Sequence, residues 1–158
     1  MSQLVDEDVV RFIIDQVWES LLRAEALPWF GEEPGEGGVR AQITLTGEWN
    51  GVVRLSCDPG TAERIAATML SVEDDERLAT EDVHDAVGEV VNVVGGNVKG
   101  ALGGATSLGL PQVTAQADAD PVPDGAVPAS RCVVSWEGAP VVVEIFTHTP
   151  HTTEESTS

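Results

Sequence analysis

Apolar residues recur at helical spacing in three segments of the chain. The first, residues 6–24, opens with three acidic side chains, which favour the positive end of a helix. The second follows Asp58, a candidate N-cap, and Pro59, which suits the first helical position. The third is expected to begin at Thr80, as a cap, and to run to about Leu102, where two glycines end it. The apolar positions that we expect to face the core in the first helix are Val9, Phe12, Ile13, Val17, Leu21 and Leu22.

Alternating apolar and polar residues predict strands between and after these helices. Residues 39–57 alternate on both sides of the turn sequence GEWNG, and residues 131–146 form a second predicted hairpin that turns at Glu137 to Pro140. Residues 112–118 predict a further strand. This order of elements predicts an α+β domain, in which helices pack on an antiparallel sheet.

Proline- and glycine-rich stretches predict the loops. Residues 27–38 are one such loop, and we expect its Trp29 and Phe30 to pack back against the domain. Residues 119–130 are a second predicted loop.

The domain organisation is simple. Residues 1–147 are predicted to form a single domain, which is an ordinary length for one hydrophobic core. Residues 148–158 are a polar stretch that we expect to be disordered.

The chain carries a formal net charge of -19, from 27 acidic and 8 basic residues. This charge repels nucleic-acid phosphates and anionic lipid, so DNA, RNA and membrane surfaces are poor partners. The first residues have acids where a secretory signal has bases, and no stretch approaches the length of a membrane span. We therefore expect a cytoplasmic protein. Cys57 and Cys132 lie in strand-like apolar runs and are interpreted as buried free thiols.

The third helix has two faces that differ in character. At about 100° per residue, the apolar residues gather on a core face and the polar residues on the opposite one. The core face contains Val83, Val87, Val90, Val91, Val94, Val98 and Ala101. The opposite face contains Asp82, Asp85, Glu89, Asn92, Gly96 and Lys99.

Glu89 and Asn92 are three residues apart, so their side chains emerge as neighbours on this outer face. An amide can orient a water molecule while a carboxylate pairs with a cation, although such a pair is more commonly a solvated helix surface. Gly96 either lets a neighbouring element approach or leaves room for a partner protein. Asn97 is expected to be a buried amide that bonds a loop carbonyl, and Lys99 is most simply a solvated cation.

Several classes of site are absent from the sequence. Lys99 is followed by Gly100 within a helix, which does not match a phosphate-binding loop. The three histidines lack ligand spacing, so we expect no metal site, and neither cysteine has an obvious histidine companion for nucleophilic catalysis.

As a whole, the third helix, EDVHDAVGEVVNVVGGNVKGAL, resembles the active-site helix of the CheX-like members of the CheC/CheX/FliY chemotaxis phosphatases. Glu89 and Asn92 match the family's Glu-x-x-Asn, and Gly96 with Asn97 match its Gly-Asn pair. The resemblance extends to the hairpin ITLTGEWNGVVRLSC, to AERIAATML and to LGLPQV, and so covers most of residues 40–117. It implies a CheC/CheX-like two-layer architecture.

The resemblance also implies an activity, the hydrolysis of the aspartyl phosphate of a CheY-type response regulator. Asn92 would orient the attacking water, and Glu89 would pair with the regulator's lysine. Asp85, Gly96 and Lys99 would contact the regulator. The chain would have no cofactor of its own, because Mg²⁺ would belong to the regulator.

The resemblance further implies a homodimer with one site per chain. No second motif is evident, because the first helix offers Asp15 with Trp18 three positions later, where a carboxylate and an amide would be needed.

Two other functions remain open from the sequence. One is a non-catalytic adaptor that binds a response regulator or a motility component through the same face. The other is a structural oligomer whose polar helix face is merely solvated.

Overall fold

The computed structural model of the chain describes residues 6–34, 37–72, 78–115, 123 and 125–148. The helices are α1 (Glu7–Val17), α2 (Pro59–Leu70) and α3 (Thr80–Leu102), and a π-helical turn, Trp18–Leu22, continues α1. The strands are β1 (Leu27–Pro28), β2 (Val39–Gly47), β3 (Gly51–Cys57), β4 (Thr106–Leu108), β5 (Gln112–Thr114), β6 (Ala126–Trp136) and β7 (Ala139–His148).

The described strands form one seven-stranded sheet in the order β1-β6-β7-β3-β2-β4, and β5 also pairs with β2. All the strand pairs are antiparallel. The α+β prediction is therefore confirmed, as are the two hairpins formed by β2 with β3 and by β6 with β7.

The core lies between one face of the sheet and the helices. Ala41, Ile43 and Leu45 alternate along β2 with more exposed residues, and each is at most 1% exposed. Helix α3 lies against β2 and β3, while α1 and α2 pack beside it. Burial of a leucine such as Leu45 contributes about 1.5–3 kcal/mol to folding. This arrangement places α3 with one face on the sheet and the other directed away from it.

Helix α1 packs through a face that differs from the predicted one. Phe12 was expected in the core but is 64% exposed. The buried positions begin at Val10, and at about 100° per residue Phe12 lies about 160° away from it, on the far side of the helix. The buried residues of α1 and its π-helical turn are Val10, Ile13, Ile14, Val17, Trp18 and Leu22.

The loop before β2 also departs from expectation. Phe30 does not pack against the domain, since it is 91% exposed. The Trp29 ring is half-buried, but it folds locally over Gly31, and its indole N–H donates to the carbonyl oxygen of Glu32 at 2.8 Å. A bond within the loop thus satisfies the indole without drawing the loop onto the core.

Strand β6 begins earlier than predicted. Residues 126–130 were expected to be loop, but they pair with the end of β7, where Ala126 lies opposite His148. The register shifts between Pro128 and Ser130, since proline has no N–H to give to the ladder. The β6–β7 turn is the two-residue Glu137–Gly138, and both residues have positive φ, 52° and 80°. This is the backbone of a type I′ turn.

Strand β7 also extends one residue into the predicted polar tail. His148 closes the strand and donates its backbone N–H to the carbonyl oxygen of Asn50 at 2.9 Å. The rest of that tail, residues 149–158, lies outside the described residues, as do residues 116–118 of the predicted strand and residues 73–77 before α3.

The helix starts are close to those predicted. Asp58 occupies the N-cap position of α2 and Pro59 is its first residue, but the Asp58 side chain makes no capping hydrogen bond. In α3 the N-cap is Ala79, one residue before the predicted Thr80.

Both cysteines are buried free thiols, as the sequence predicts. Burial raises the pKa of Cys57 to about 12 and also raises the pKa of Cys132. In the folded chain both side chains therefore behave as small apolar groups.

Candidate functional site

Helix α3 has the two faces that its periodicity predicts. All six predicted valines of the core face are buried: Val83, Val87, Val90, Val91, Val94 and Val98. The seventh predicted member, Ala101, is exposed instead, because it lies in the last turn, just before the helix ends at Leu102.

The outer face of α3 is open to solvent. Glu89 is exposed and Asn92 is half-buried. Their separation of three positions corresponds to about 4.5 Å along the helix axis, so the two side chains leave the helix about one turn apart. Within the described part of the chain, neither side chain has a hydrogen-bond or ion-pair partner. A carboxylate and an amide are thus free to bind a group from outside.

The other predicted members of this face are exposed as well: Asp82, Asp85, Gly96 and Lys99. Negative side chains lie in the first turn of α3 and Lys99 lies in its last turn, which matches the polarity of the helix dipole at both ends. The outer face therefore changes from acidic to basic along its length.

The glycines of α3 divide into two groups. A Cβ at Gly88 would lie 3.4 Å from a methyl carbon of Val113, and a Cβ at Gly95 would lie 2.8 Å from Ile43 and 3.1 Å from Leu108. Those two glycines therefore permit close packing. A Cβ at Gly96 would meet no atom of the described residues within 4 Å, and Gly100 is equally open. The space above Gly96, one turn beyond Asn92, is available to a partner.

Asn97 was expected to be buried and to bond a loop carbonyl, and both expectations are wrong. The residue is exposed, and its amide nitrogen donates to the carbonyl oxygen of Val93, four residues earlier in the same helix, at 2.8 Å. At about 100° per residue it lies about 140° from Asn92. Its amide is therefore satisfied within α3, whereas that of Asn92 is not.

Comparison with known proteins decides the family. The sequence model of the family described as chemotaxis phosphatase CheX matches residues 39–128, which is more than half of the chain. The chain belongs to the CheX family. No curated protein sequence matches it.

Solved structures of CheX and CheC-like proteins share the fold. A chain of the CheX–CheY–BeF₃–Mg²⁺ complex from Borrelia burgdorferi is 20% identical with a TM-score of 0.74, and the match covers 90% of this chain and 97% of that one. A CheC-like superfamily protein from Shewanella sp. PV-4 is 21% identical with a TM-score of 0.69, covering 90% and 96%. CheX from Vibrio vulnificus is 22% identical with a TM-score of 0.66, covering 88% and 94%. The two-layer CheC/CheX-like architecture is confirmed.

Helix α1 of this CheX-family chain does not provide a second polar pair. Trp18, three residues after Asp15, is 0% exposed, and its indole N–H donates to the carbonyl oxygen of Ser135 at 3.4 Å. Three residues after Asp15 there is therefore an inward-facing indole, whereas three residues after Glu89 there is the outward-facing amide of Asn92.

A further segment beside α3 was not foreseen as part of the site. Residues 109–111, Gly-Leu-Pro, connect β4 to β5, and Pro111 lies against the helix at Gly88. Leu110 points away from the core and is 85% exposed. Proline next to a strand often marks an irregularity, which is the one sequence signal that could have indicated this feature.

Two classes of feature are missing from the part of the chain that the structure covers. No three His, Cys, Asp or Glu side chains cluster as metal ligands there. No helix among the same residues is long and apolar enough to cross a bilayer.

Proposed function

We propose that this CheX-family chain is a phosphatase that hydrolyses the aspartyl phosphate of a CheY-type response regulator. Family membership supports phosphatase activity, and the Borrelia burgdorferi relative was solved as a complex with CheY, BeF₃ and Mg²⁺. The observation that carries the proposal is the outward pair of Glu89 and Asn92 on α3, which has no partner among the residues that the structure describes.

Asn92 acts on the water. Its carbonyl oxygen accepts a hydrogen bond from a water molecule and holds it in line with phosphorus, opposite the bond to the aspartate oxygen. The water oxygen attacks phosphorus, the bond from phosphorus to the aspartate oxygen breaks, and inorganic phosphate and a free carboxylate result. No covalent bond to this chain forms, because catalysis rests on positioning and on electrostatics.

Glu89 sets the register of the two proteins. Its carboxylate pairs with the lysine of the regulator's phosphorylated pocket, and this ion pair becomes desolvated when the proteins dock. The neighbouring Asp85, Gly96 and Lys99 contact the regulator around this pair. The regulator supplies Mg²⁺, which neutralises charge on the phosphoryl group, and this chain contributes no cofactor.

A phosphate-release assay tests the proposal. CheY-type regulators are phosphorylated with acetyl phosphate, the excess is removed, and decay is followed with and without a substoichiometric amount of this chain. We expect many turnovers per chain on at least one regulator. Binding to a regulator without faster decay would instead identify an adaptor, and neither binding nor decay would leave the structural-oligomer interpretation.

We also propose a homodimer with one site in each chain, on the basis of the resemblance alone. Light scattering on the purified chain tests it directly. A mass near twice 16.6 kDa is expected, and a monomer at micromolar concentration would contradict it.

A further inference from the structure

Leu110 is a large apolar side chain held in solvent beside the candidate site. It is 85% exposed, although it lies between two strands that both pair with β2. Single exposed leucines are common on protein surfaces and need no explanation by themselves. This one differs because the backbone around it is irregular in a way that directs it outward.

The irregularity is one extra residue opposite β2. Leu108 is paired with Leu45, and Val113 is paired with Ala41. Leu45 and Ala41 are four positions apart along β2, whereas Leu108 and Val113 are five positions apart. One residue of this segment is therefore extra, as in a β-bulge. Successive side chains of a regular strand alternate, so Leu110 would otherwise share the inward face of Leu108. The extra residue breaks this alternation, and the Leu110 side chain is exposed.

The position of the bulge relative to α3 is fixed by the packed glycines. Leu108 contacts the helix at Gly95 and Pro111 contacts it at Gly88, and the backbone N–H of Gly109 donates to the carbonyl oxygen of Thr44 at 2.8 Å. Seven helical residues span about 10.5 Å, so Leu110 lies alongside the two turns between those contacts. Contacts with α3 therefore fix the backbone on both sides of Leu110.

The same two turns contain the candidate catalytic amide. At about 100° per residue, Asn92 lies about 40° from Gly88 and about 60° from Gly95, on the flank of α3 that borders the bulge. Glu89 lies about 100° from Gly88, farther around the helix. The 109–111 segment that carries Leu110 therefore borders α3 on one side of Asn92, and Glu89 lies on the other side.

We propose that Leu110 is a docking residue for the phosphorylated regulator, making the apolar contact on the side of Asn92 opposite Glu89. This inference rests on the proposed function. A specific interface covers about 800 Å² on each partner, which corresponds to a patch of about 16 Å radius. A regulator whose pocket receives Asn92 therefore also covers Leu110. The surface that it meets is an apolar patch at the rim of the regulator's phosphorylated pocket.

The role assigned to Leu110 is binding rather than chemistry. It makes the same contact with the regulator before and during hydrolysis, so its loss removes binding from ground state and transition state alike. Truncation should therefore act on KM and spare kcat, in contrast to truncation of Asn92.

The test compares Leu110→Ala, Leu110→Met and Phe30→Ala on one regulator phosphorylated with acetyl phosphate. Phe30 is a matched control, because it is 91% exposed and follows β1, at the edge of the sheet farthest from β4. We expect Leu110→Ala to raise KM about tenfold, consistent with the loss of one buried apolar side chain. Leu110→Met should raise KM much less than Leu110→Ala does, and Phe30→Ala should leave KM equal to that of the unaltered chain. All three variants should melt near the unaltered chain, because both residues are exposed.

Each alternative result is distinct. Equal KM values for Leu110→Ala and Phe30→Ala would overturn the docking role while leaving the phosphatase intact. A change of oligomeric state in Leu110→Ala without a change in KM would assign the leucine to a second copy of the chain, and would also overturn it. If the unaltered chain binds the BeF₃ form of the regulator without hydrolysing the phosphorylated form, the proposed phosphatase activity is wrong. The docking role is then tested by binding alone, and it would be overturned if Leu110→Ala bound the BeF₃ form with an unchanged Kd. A chain that neither binds nor hydrolyses overturns both.

Discussion

Helices α1 and α3 pack on the same sheet but present different outer faces. Both bury a continuous apolar stripe, and α1 even turns Trp18 inward, where its indole is satisfied by the backbone of β6. Helix α3 instead keeps Glu89 and Asn92 outward and unpartnered within the described residues, with open space above Gly96. Packing alone does not require an outward amide or a bare glycine, so these features of α3 point to a partner.

The largest expected effect concerns the structural role of α1. Trp18→Ala should lower the free energy of unfolding by about 3–5 kcal/mol, because it removes a fully buried indole and leaves a cavity. Urea denaturation measures it. Phe12→Ala, on the exposed side of the same helix, should change stability by less than about 0.5 kcal/mol. A loss below about 1 kcal/mol in Trp18→Ala would show that α1 is not held in this way.

The next prediction compares Glu89 on α3 with Asp15 on α1, the two carboxylates that lie three residues before Asn92 and Trp18. Glu89→Ala should lower kcat/KM for the phosphorylated regulator about 30-fold, or about 2 kcal/mol, because the regulator's lysine is then desolvated without a partner. Asp15→Ala on α1 should leave kcat/KM unchanged within error. Equal losses in the two variants would mean that the overall negative charge steers the regulator and that the position of Glu89 is unimportant.

Replacing each of two adjacent glycines in α3 by alanine should change the stability of the chain in opposite directions. Gly95→Ala should cost about 1 kcal/mol, since the new methyl group overpacks Ile43 and Leu108 by more than the gain in helix propensity. Gly96→Ala should stabilise the chain by about 0.5–1 kcal/mol, because no described residue lies within 4 Å of the new Cβ. Thermal unfolding of both variants measures the difference. The same sign for both would contradict the division of α3 into packed and open glycines.

The smallest effect contrasts Glu89 with a carboxylate that has its own partner. Glu33 pairs with Arg131, and this bond lowers the pKa of Glu33 below its usual 4.5. Both side chains are nearly half exposed, so Glu33→Gln should cost at most about 0.5 kcal/mol at neutral pH. A lowered folded pKa gives stability that is present above pH 4.5 and is lost as pH falls below it. Urea denaturation at pH 7 and pH 3 tests this, and an equal cost at both values would contradict it.

The sequence predicted the elements whose cause is periodic burial. The bounds of α3 and the outward positions of Glu89 and Asn92 follow from a strong 3.6-residue repeat that ends in two glycines. The hairpins follow from alternation around short turns. These features depend on local spacing, which the sequence carries directly.

The errors arose where long-range contacts decide the outcome. Phe12 and Trp18 are both aromatic, but the face that α1 turns to the sheet buries Trp18, which bonds Ser135 far along the chain, and leaves Phe12 exposed. Asn97 is exposed and its amide bonds its own helix, an outcome that depends on which loops pack nearby. The bulge at Leu110 depends on how β4 and β5 both register against β2, and the only local signal of it is Pro111 beside a strand.

The amide of Asn92 is proposed to position the attacking water. This role is tested most directly by single-turnover dephosphorylation of a regulator under saturating Asn92→Ala, with Asn97→Ala as the matched control on the same helix. We predict a loss of about 10²–10³ in the rate constant for Asn92→Ala and less than about threefold for Asn97→Ala, whose amide is already bonded within α3. An Asn92→Ala chain that dephosphorylates the regulator at the unaltered rate would show that this amide does not position the water.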